Sequence, residues 1–187
     1  YEMSASLVGS EMCIRDRIWG GQLQRYRDNK AIENPCLPAD NEPALPGRVV
    51  KLRDDMLEFA EAPRAVLVLD EHGEPLKAGD PHRFFEASWM HKYNGKYYLS
   101  YSTGDTHFLC YAIGDNPYGP FTYQGVILTP VVGWTTHHAI VEYKGKWYLF
   151  HHDCVPSGGK TWLRSLKVVE LEYDAEGKII TIDGGGE

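Results

Sequence analysis

Glu86 is the side chain with the most chemistry to offer. It lies in Arg83-Phe84-Phe85-Glu86-Ala87-Ser88-Trp89-Met90, flanked by apolar residues, and a carboxyl group in such a setting has its pKa raised. A proton donor working near neutral pH needs that shift. The residue is therefore either a general acid or an ordinary solvated glutamate at a strand edge. Fifty residues on comes Thr135-Thr136-His137-His138-Ala139-Ile140. Paired histidines suggest a metal, but consecutive strand residues face opposite ways. At most one of His137 and His138 can point toward a shared channel, so a two-histidine chelate is not expected. Arg164, the lone basic residue of Trp162-Leu163-Arg164-Ser165, suits gripping hydroxyls or a carboxylate; otherwise it is a surface arginine with a packed stem. Trp19, Trp89, Trp134, Trp147 and Trp162 offer flat faces for stacking on sugar rings, or bulk for a core. All eight histidines fall between His72 and His152, a clustering that core or solvated roles also explain.

Positioning these groups falls to strands. Met90-His-Lys-Tyr-Asn-Gly-Lys-Tyr-Tyr-Leu-Ser-Tyr101 aligns with Ile140-Val-Glu-Tyr-Lys-Gly-Lys-Trp-Tyr-Leu-Phe-His151, with Gly95 and Gly145 fifty residues apart. Each copy reads as strand, two-residue turn, aromatic strand, which is a β-hairpin signal. A further strand pair is expected after each: Phe108–Ile113 with Phe121–Gln124, and Leu166–Tyr173 with Ile179–Ile182. Four strands per unit of about 50 residues is the arithmetic of a propeller blade; a lone sandwich is the alternative. Val49–Leu52 and Ala65–Leu69 read as parts of a less regular blade. Residues 28–47, with four prolines between Asn34 and Pro46, read as a long loop. The expected fold is all-β, a partial propeller of about two complete four-stranded blades and part of a third.

The chain has 187 residues, with 19 basic against 26 acidic side chains and a net charge of −7 at pH 7. Without a Lys/Arg cluster, that balance argues against nucleic acid or an anionic membrane as partner. No uncharged apolar stretch approaches the ~18 residues of a membrane span. Cys13, Cys36, Cys110 and Cys154 are far apart, which excludes a zinc knuckle and leaves packing roles. Residues 1–17, ending Leu7-Val-Gly-Ser-Glu-Met-Cys-Ile-Arg-Asp-Arg17, show no helix or strand period and resemble a translated sequencing adaptor. They are set aside from fold reasoning; the charge argument survives without them. Residues 18–187 are then expected to be an incomplete propeller domain that begins in mid-gene.

Glu86-Ala-Ser-Trp-Met-His-Lys followed by Asn94-Gly-Lys-Tyr-Tyr-Leu-Ser-Tyr-Ser, and then His137-His-Ala-Ile-Val-Glu-Tyr-Lys-Gly-Lys-Trp-Tyr-Leu-Phe, closely resemble family 43 glycoside hydrolases, which are five-bladed β-propellers. The likeness runs from Ile18 to about Ile182, and Trp19-Gly-Gly-Gln-Leu-Gln24 is similar to the branch rich in β-xylosidases. The resemblance implies an inverting glycosidase acting on xylosides or arabinofuranosides of plant hemicellulose, with a pentose-containing oligosaccharide as substrate. It implies Glu86 as the general acid, Arg164 at the bound sugar, and His137 as the histidine that holds a hydrated Ca²⁺ in several members; Trp134 and Trp89 are expected as further sugar contacts on the strength of their flat rings alone. Two aspartates, a base and one that tunes the acid, precede the point equivalent to Ile18 in the family. Asp28, Asp40, Asp54 and Asp55 do not stand in for them. A non-catalytic propeller that binds carbohydrate or a protein partner is the alternative.

Overall fold

The computed structural model describes the backbone of Ala5–Ser6 together with residues 38–104, 106–134 and 136–186. Trp19, Cys13, Cys36, Asp28 and all but two of residues 1–17 lie outside the described residues. Eleven strands are described, with one 3₁₀ turn at Val155–Ser157. Strands β1 (Ala5–Ser6), β2 (Gly47–Lys51) and β3 (Arg64–Val66) form one antiparallel sheet in that order. The largest sheet has the order β4-β8-β7-β6-β5, built from β4 (Val68–Leu69), β5 (Glu86–Tyr93), β6 (Lys96–Ser102), β7 (Leu109–Gly114) and β8 (Phe121–Leu128). A third sheet, order β11-β10-β9, contains β9 (His138–Tyr143), β10 (Lys146–Asp153) and β11 (Ser165–Leu171). Among the described residues no helix is long and apolar enough to cross a membrane.

Both expected hairpins are present. Asn94 and Gly95 have φ of 46° and 78°, and Lys144 and Gly145 have φ of 53° and 76°. Two successive positive φ values define the type I′ turn, whose twist matches the flanking strands. The first hairpin continues through β7 and β8 as four consecutive antiparallel strands. Alternation along β6 and β7 buries the central sheet on both faces. Tyr98, Leu109 and Tyr111 pack with Ile140, Leu149 and Leu171 of the third sheet. Leu99, Tyr101, Cys110 and Ala112 pack with Val49, Val66 and Val68. Three curled sheets layered this way are consistent with part of a propeller.

The second unit departs from the expected four strands. Its sheet has three strands; Ile179 meets the end of β11 only through the Tyr173–Ile179 antiparallel bridge, and the segment then crosses to β8, with Leu128 and Ile182 in a parallel bridge. The Ile182 N–H donates to the Ile127 carbonyl at 2.8 Å and the Thr129 N–H to that of Ile182 at 3.0 Å. Hydroxyl groups of the central sheet explain the capture. Tyr98 donates to the Gly177 carbonyl at 2.6 Å, and the Ile179 N–H donates to the Tyr111 hydroxyl at 3.0 Å. The upstream pair differs as well. Ala65–Leu69 divides at Leu67, so β3 stays with β2 while β4 leaves to pair parallel with β8.

Candidate active site

β5 and β9 are the facing edges of the central and third sheets, and the site forms where both begin. The β5–β6 ladder pairs Glu86 with Ser102 and then Trp89 with Ser100, leaving one extra residue on β5. Ala87 takes φ of 56° within this bulge, a conformation uncommon outside glycine. Bulges re-aim side chains at strand ends, and here the Glu86 side chain ends up only 11% exposed. Burial pushes its carboxyl pKa up, and the positive charge of Arg164 opposes part of that rise.

His137 immediately precedes β9 and brings its Nε2 to 3.8 Å from Glu86 Oε1. That separation is too long for a direct hydrogen bond. The ring is half-exposed, and burial followed by the nearby Arg164 charge lowers its pKa. His138, the next residue, turns the other way, as the alternation requires. It is half-buried between the sheets, with its Nε2 2.6 Å from Ser100 Oγ. Burial, with the neighbouring histidines, holds its pKa down at about 3.

Arg164 immediately precedes β11, which runs parallel to β9 on the far side of β10. Its Nε donates to the Thr161 carbonyl at 3.1 Å. The Ser157 hydroxyl in the loop before it lies within hydrogen-bond distance of the carbonyls of Cys154, Lys160 and Leu163 and donates its one proton among them. Glu86, His137 and Arg164, distant in sequence, thus collect at one rim of the sheets. Trp134 stands on the β8–β9 connection at 37% exposure, its ring 5.0 Å from that of His107. Trp89 faces the space between sheets, where its indole N–H donates to the Ile140 carbonyl at 3.0 Å. That donor is committed to joining β5 to β9, so Trp89 has no N–H to offer a ligand.

The residues around this rim contain two, Thr136 and His152, to which sequence reasoning gave no role. His152 accepts the His137 backbone N–H on its Nε2 at 3.1 Å. Thr136 is buried, and its hydroxyl donates to the His152 carbonyl at 2.9 Å. The signal for both was the hairpin register: residues opposite a site strand's first position are the ones able to brace it. Asp153, also buried, is neutralised by Lys167, whose Nζ lies 2.9 Å from Oδ2. Asp54 and Asp55 fall in the exposed turn between β2 and β3, where the Asp55 carboxylate accepts the Leu57 N–H.

A calcium ion prefers six to eight oxygen donors. Among the described residues no three His, Cys, Asp or Glu side chains stand together as a metal-binding group. A single imidazole beside a guanidinium does not by itself fit that ion.

A family model described as glycosyl hydrolases family 43 matches residues 46–179. A curated xylosidase/arabinosidase of Bacteroides ovatus is 78% identical over 171 residues, covering 91% of this chain and 53% of the relative. The solved RS223 β-xylosidase superposes with a TM-score of 0.79 at 73% identity, over 90% of this chain and 52% of that one. A β-xylosidase/α-arabinofuranosidase from a compost microbial metagenome, solved with xylotriose in a calcium-free form, gives a TM-score of 0.80 at 56% identity, over 91% and 53% of the two chains. The chain spans about half the length of the curated relatives it matches.

Proposed function

The chain belongs to the glycosyl hydrolases of family 43, and from that premise we propose that it is part of an inverting glycosidase acting on xylosides or arabinofuranosides, with Glu86 as proton donor. The burial of the Glu86 carboxyl at the bulged start of β5 carries this reading. Burial raises the pKa of this carboxyl, the direction a group needs in order to protonate the leaving glycosidic oxygen as the bond breaks. The relatives named as xylosidases and arabinosidases, and the one solved with xylotriose, support a pentose-containing oligosaccharide as substrate.

Arg164 is the group proposed to bind sugar hydroxyls, supported by its place at the same rim and by its electrostatic reach to Glu86 and His137. Trp134, exposed near that rim, is proposed as a flat contact for a sugar ring. His137 offers a neutral imidazole within reach of a ligand lodged against Glu86. Inversion also needs a carboxylate some 6.5–9.5 Å from the acid to activate water. In this proposal that base belongs to the portion of the relatives' length outside this chain. The sheets from β2 onward are correspondingly read as two blades and part of a third of a five-bladed propeller, built by residues 18–187; residues 1–17 are read as foreign to it, with Ala5–Ser6 merely lying along β2.

The test is Glu86→Gln in the protein extended to the length of its relatives. Turnover of xylosides with poor leaving groups should fall ~10²–10⁴-fold, the usual weight of general acid catalysis. Aryl xylosides whose leaving group departs unprotonated should lose far less. An equal fall on both substrates, or none, would remove Glu86 from the role. The 187-residue chain alone should show no turnover.

A further inference from the structure

The β9–β10 ladder ends at the pair His138–His151. One position further, Thr136 and His137 are held to β10 by side chains in place of backbone rungs. The His137 N–H donates to the His152 imidazole at 3.1 Å. Thr136 Oγ1 accepts the His152 N–H at 3.0 Å and donates to the His152 carbonyl at 2.9 Å. The carbonyl of Thr136 is gripped in turn by the Ser102 hydroxyl, opposite Glu86 on the neighbouring ladder. The His152 ring lies near-parallel to that of His137, at 6.4 Å and 20°.

The direction of the His152 bond fixes its tautomer. An amide N–H can only donate, so Nε2 carries the lone pair and the ring proton resides on Nδ1. Nδ1 is buried and has no hydrogen-bond partner among the described residues, an arrangement that works against stability. The ring thus keeps its contact with His137 at the expense of satisfying its own N–H. Packing alone gives no reason for that choice, whereas placing the His137 backbone does.

We infer that His152 is a positioning residue: as a hydrogen-bond acceptor it holds His137 against Glu86. Its importance for catalysis rests on the reading of Glu86 as proton donor; the contact itself does not.

Two variants separate the acceptor from the ring. His152→Phe keeps a stacking ring without an acceptor, and His152→Gln keeps an acceptor oxygen without the ring. The measurement is NMR at neutral pH on the isotopically labelled 187-residue chain, reading amide exchange along β9 and β10 and the ring resonances of His137. With H152F, exchange of the His137 amide should quicken about fivefold, the weight of one neutral hydrogen bond, while the other ladder amides stay protected. With H152Q the protection should remain. Adding Glu86→Gln should move the His137 ring resonances in the wild-type and H152Q backgrounds and leave them unmoved with H152F, because the two side chains have separated. Protection retained in H152F, protection lost throughout β9 and β10, or H152Q behaving like H152F would each overturn the inference. No xyloside enters these readouts, so Glu86 can fail as the acid while His152 stands, and the reverse.

Discussion

The hairpins β5–β6 and β9–β10 are nearly interchangeable at their turns and quite different at their open ends. Both turns carry two positive-φ residues with glycine second, and both follow with lysine, two aromatics and a buried leucine, Leu99 or Leu149. At the open end the first hairpin bulges and buries Glu86, whereas the second gives up its backbone rungs and is closed by Thr136 and His152. The repeated part is what folding requires of any twisted hairpin. The part that breaks the repeat assembles the rim, so the proposed chemistry falls where local regularity is sacrificed.

If the turn halves are equivalent, matched substitutions should have matched effects. Leu99→Ala and Leu149→Ala remove fully buried side chains from opposite faces of the layered sheets. Each should cost about 2–5 kcal/mol, read as a lowered urea midpoint with unchanged slope. Costs that differ by more than that range would mean that the two hairpins carry unequal shares of the core.

The histidines separate the hairpins again, because His91 and His138 lie in the seam between them. Burial holds both near pKa 3 in the folded chain, from an ordinary value of 6.5. Above pH 6.5 both states leave them neutral and stability is fully present. As pH falls from 6.5 toward 3, only the unfolded chain takes up these protons, so stability is progressively lost. The slope approaches about 1.4 kcal/mol per pH unit for each histidine. Glu86 works the other way, since its raised pKa lets the folded state bind a proton first. Thermal unfolding from pH 7 to 5 should therefore show a net fall, and His91→Phe should flatten it. A profile unchanged by that substitution would exclude His91 from the effect.

The smallest effect belongs to the turns. A Cβ at Gly95 or Gly145 meets nothing within 4 Å, so Gly→Ala at either should cost only the left-handed backbone term, about 1–2 kcal/mol. Equal losses in chemical denaturation would sharpen the equivalence, and unequal ones would break it at its strongest point.

Much of this was legible in the chain itself. Asn94-Gly95 and Lys144-Gly145 mark the turns because positive φ is a local property, and the apolar flanks of Glu86 announce its burial. Contacts across long separations left no such trace. Nothing near Ile179 says that Tyr98 and Tyr111 will draw its segment toward β8, and nothing near Trp89 says that its N–H will be taken by Ile140. The bulge at Ala87 was hidden because alanine does not advertise a positive φ. His152 was passed over as one histidine among eight, since its part depends on which residue the ladder sets opposite.

The bridge between Leu128 and Ile182 gives the third sheet the character of an excursion. The chain leaves the central sheet after β8 and returns to the same place, with the Thr129 hydroxyl meeting the Asp183 carboxylate across 54 positions. An excursion whose two feet are pinned together can be lengthened cheaply, because doubling a closed loop adds only about 0.6 kcal/mol of closure entropy. The Lys144-Gly145 tip is thus a natural splice point, where an inserted tag or reporter domain would ride on the molecule without prying apart the feet that anchor it.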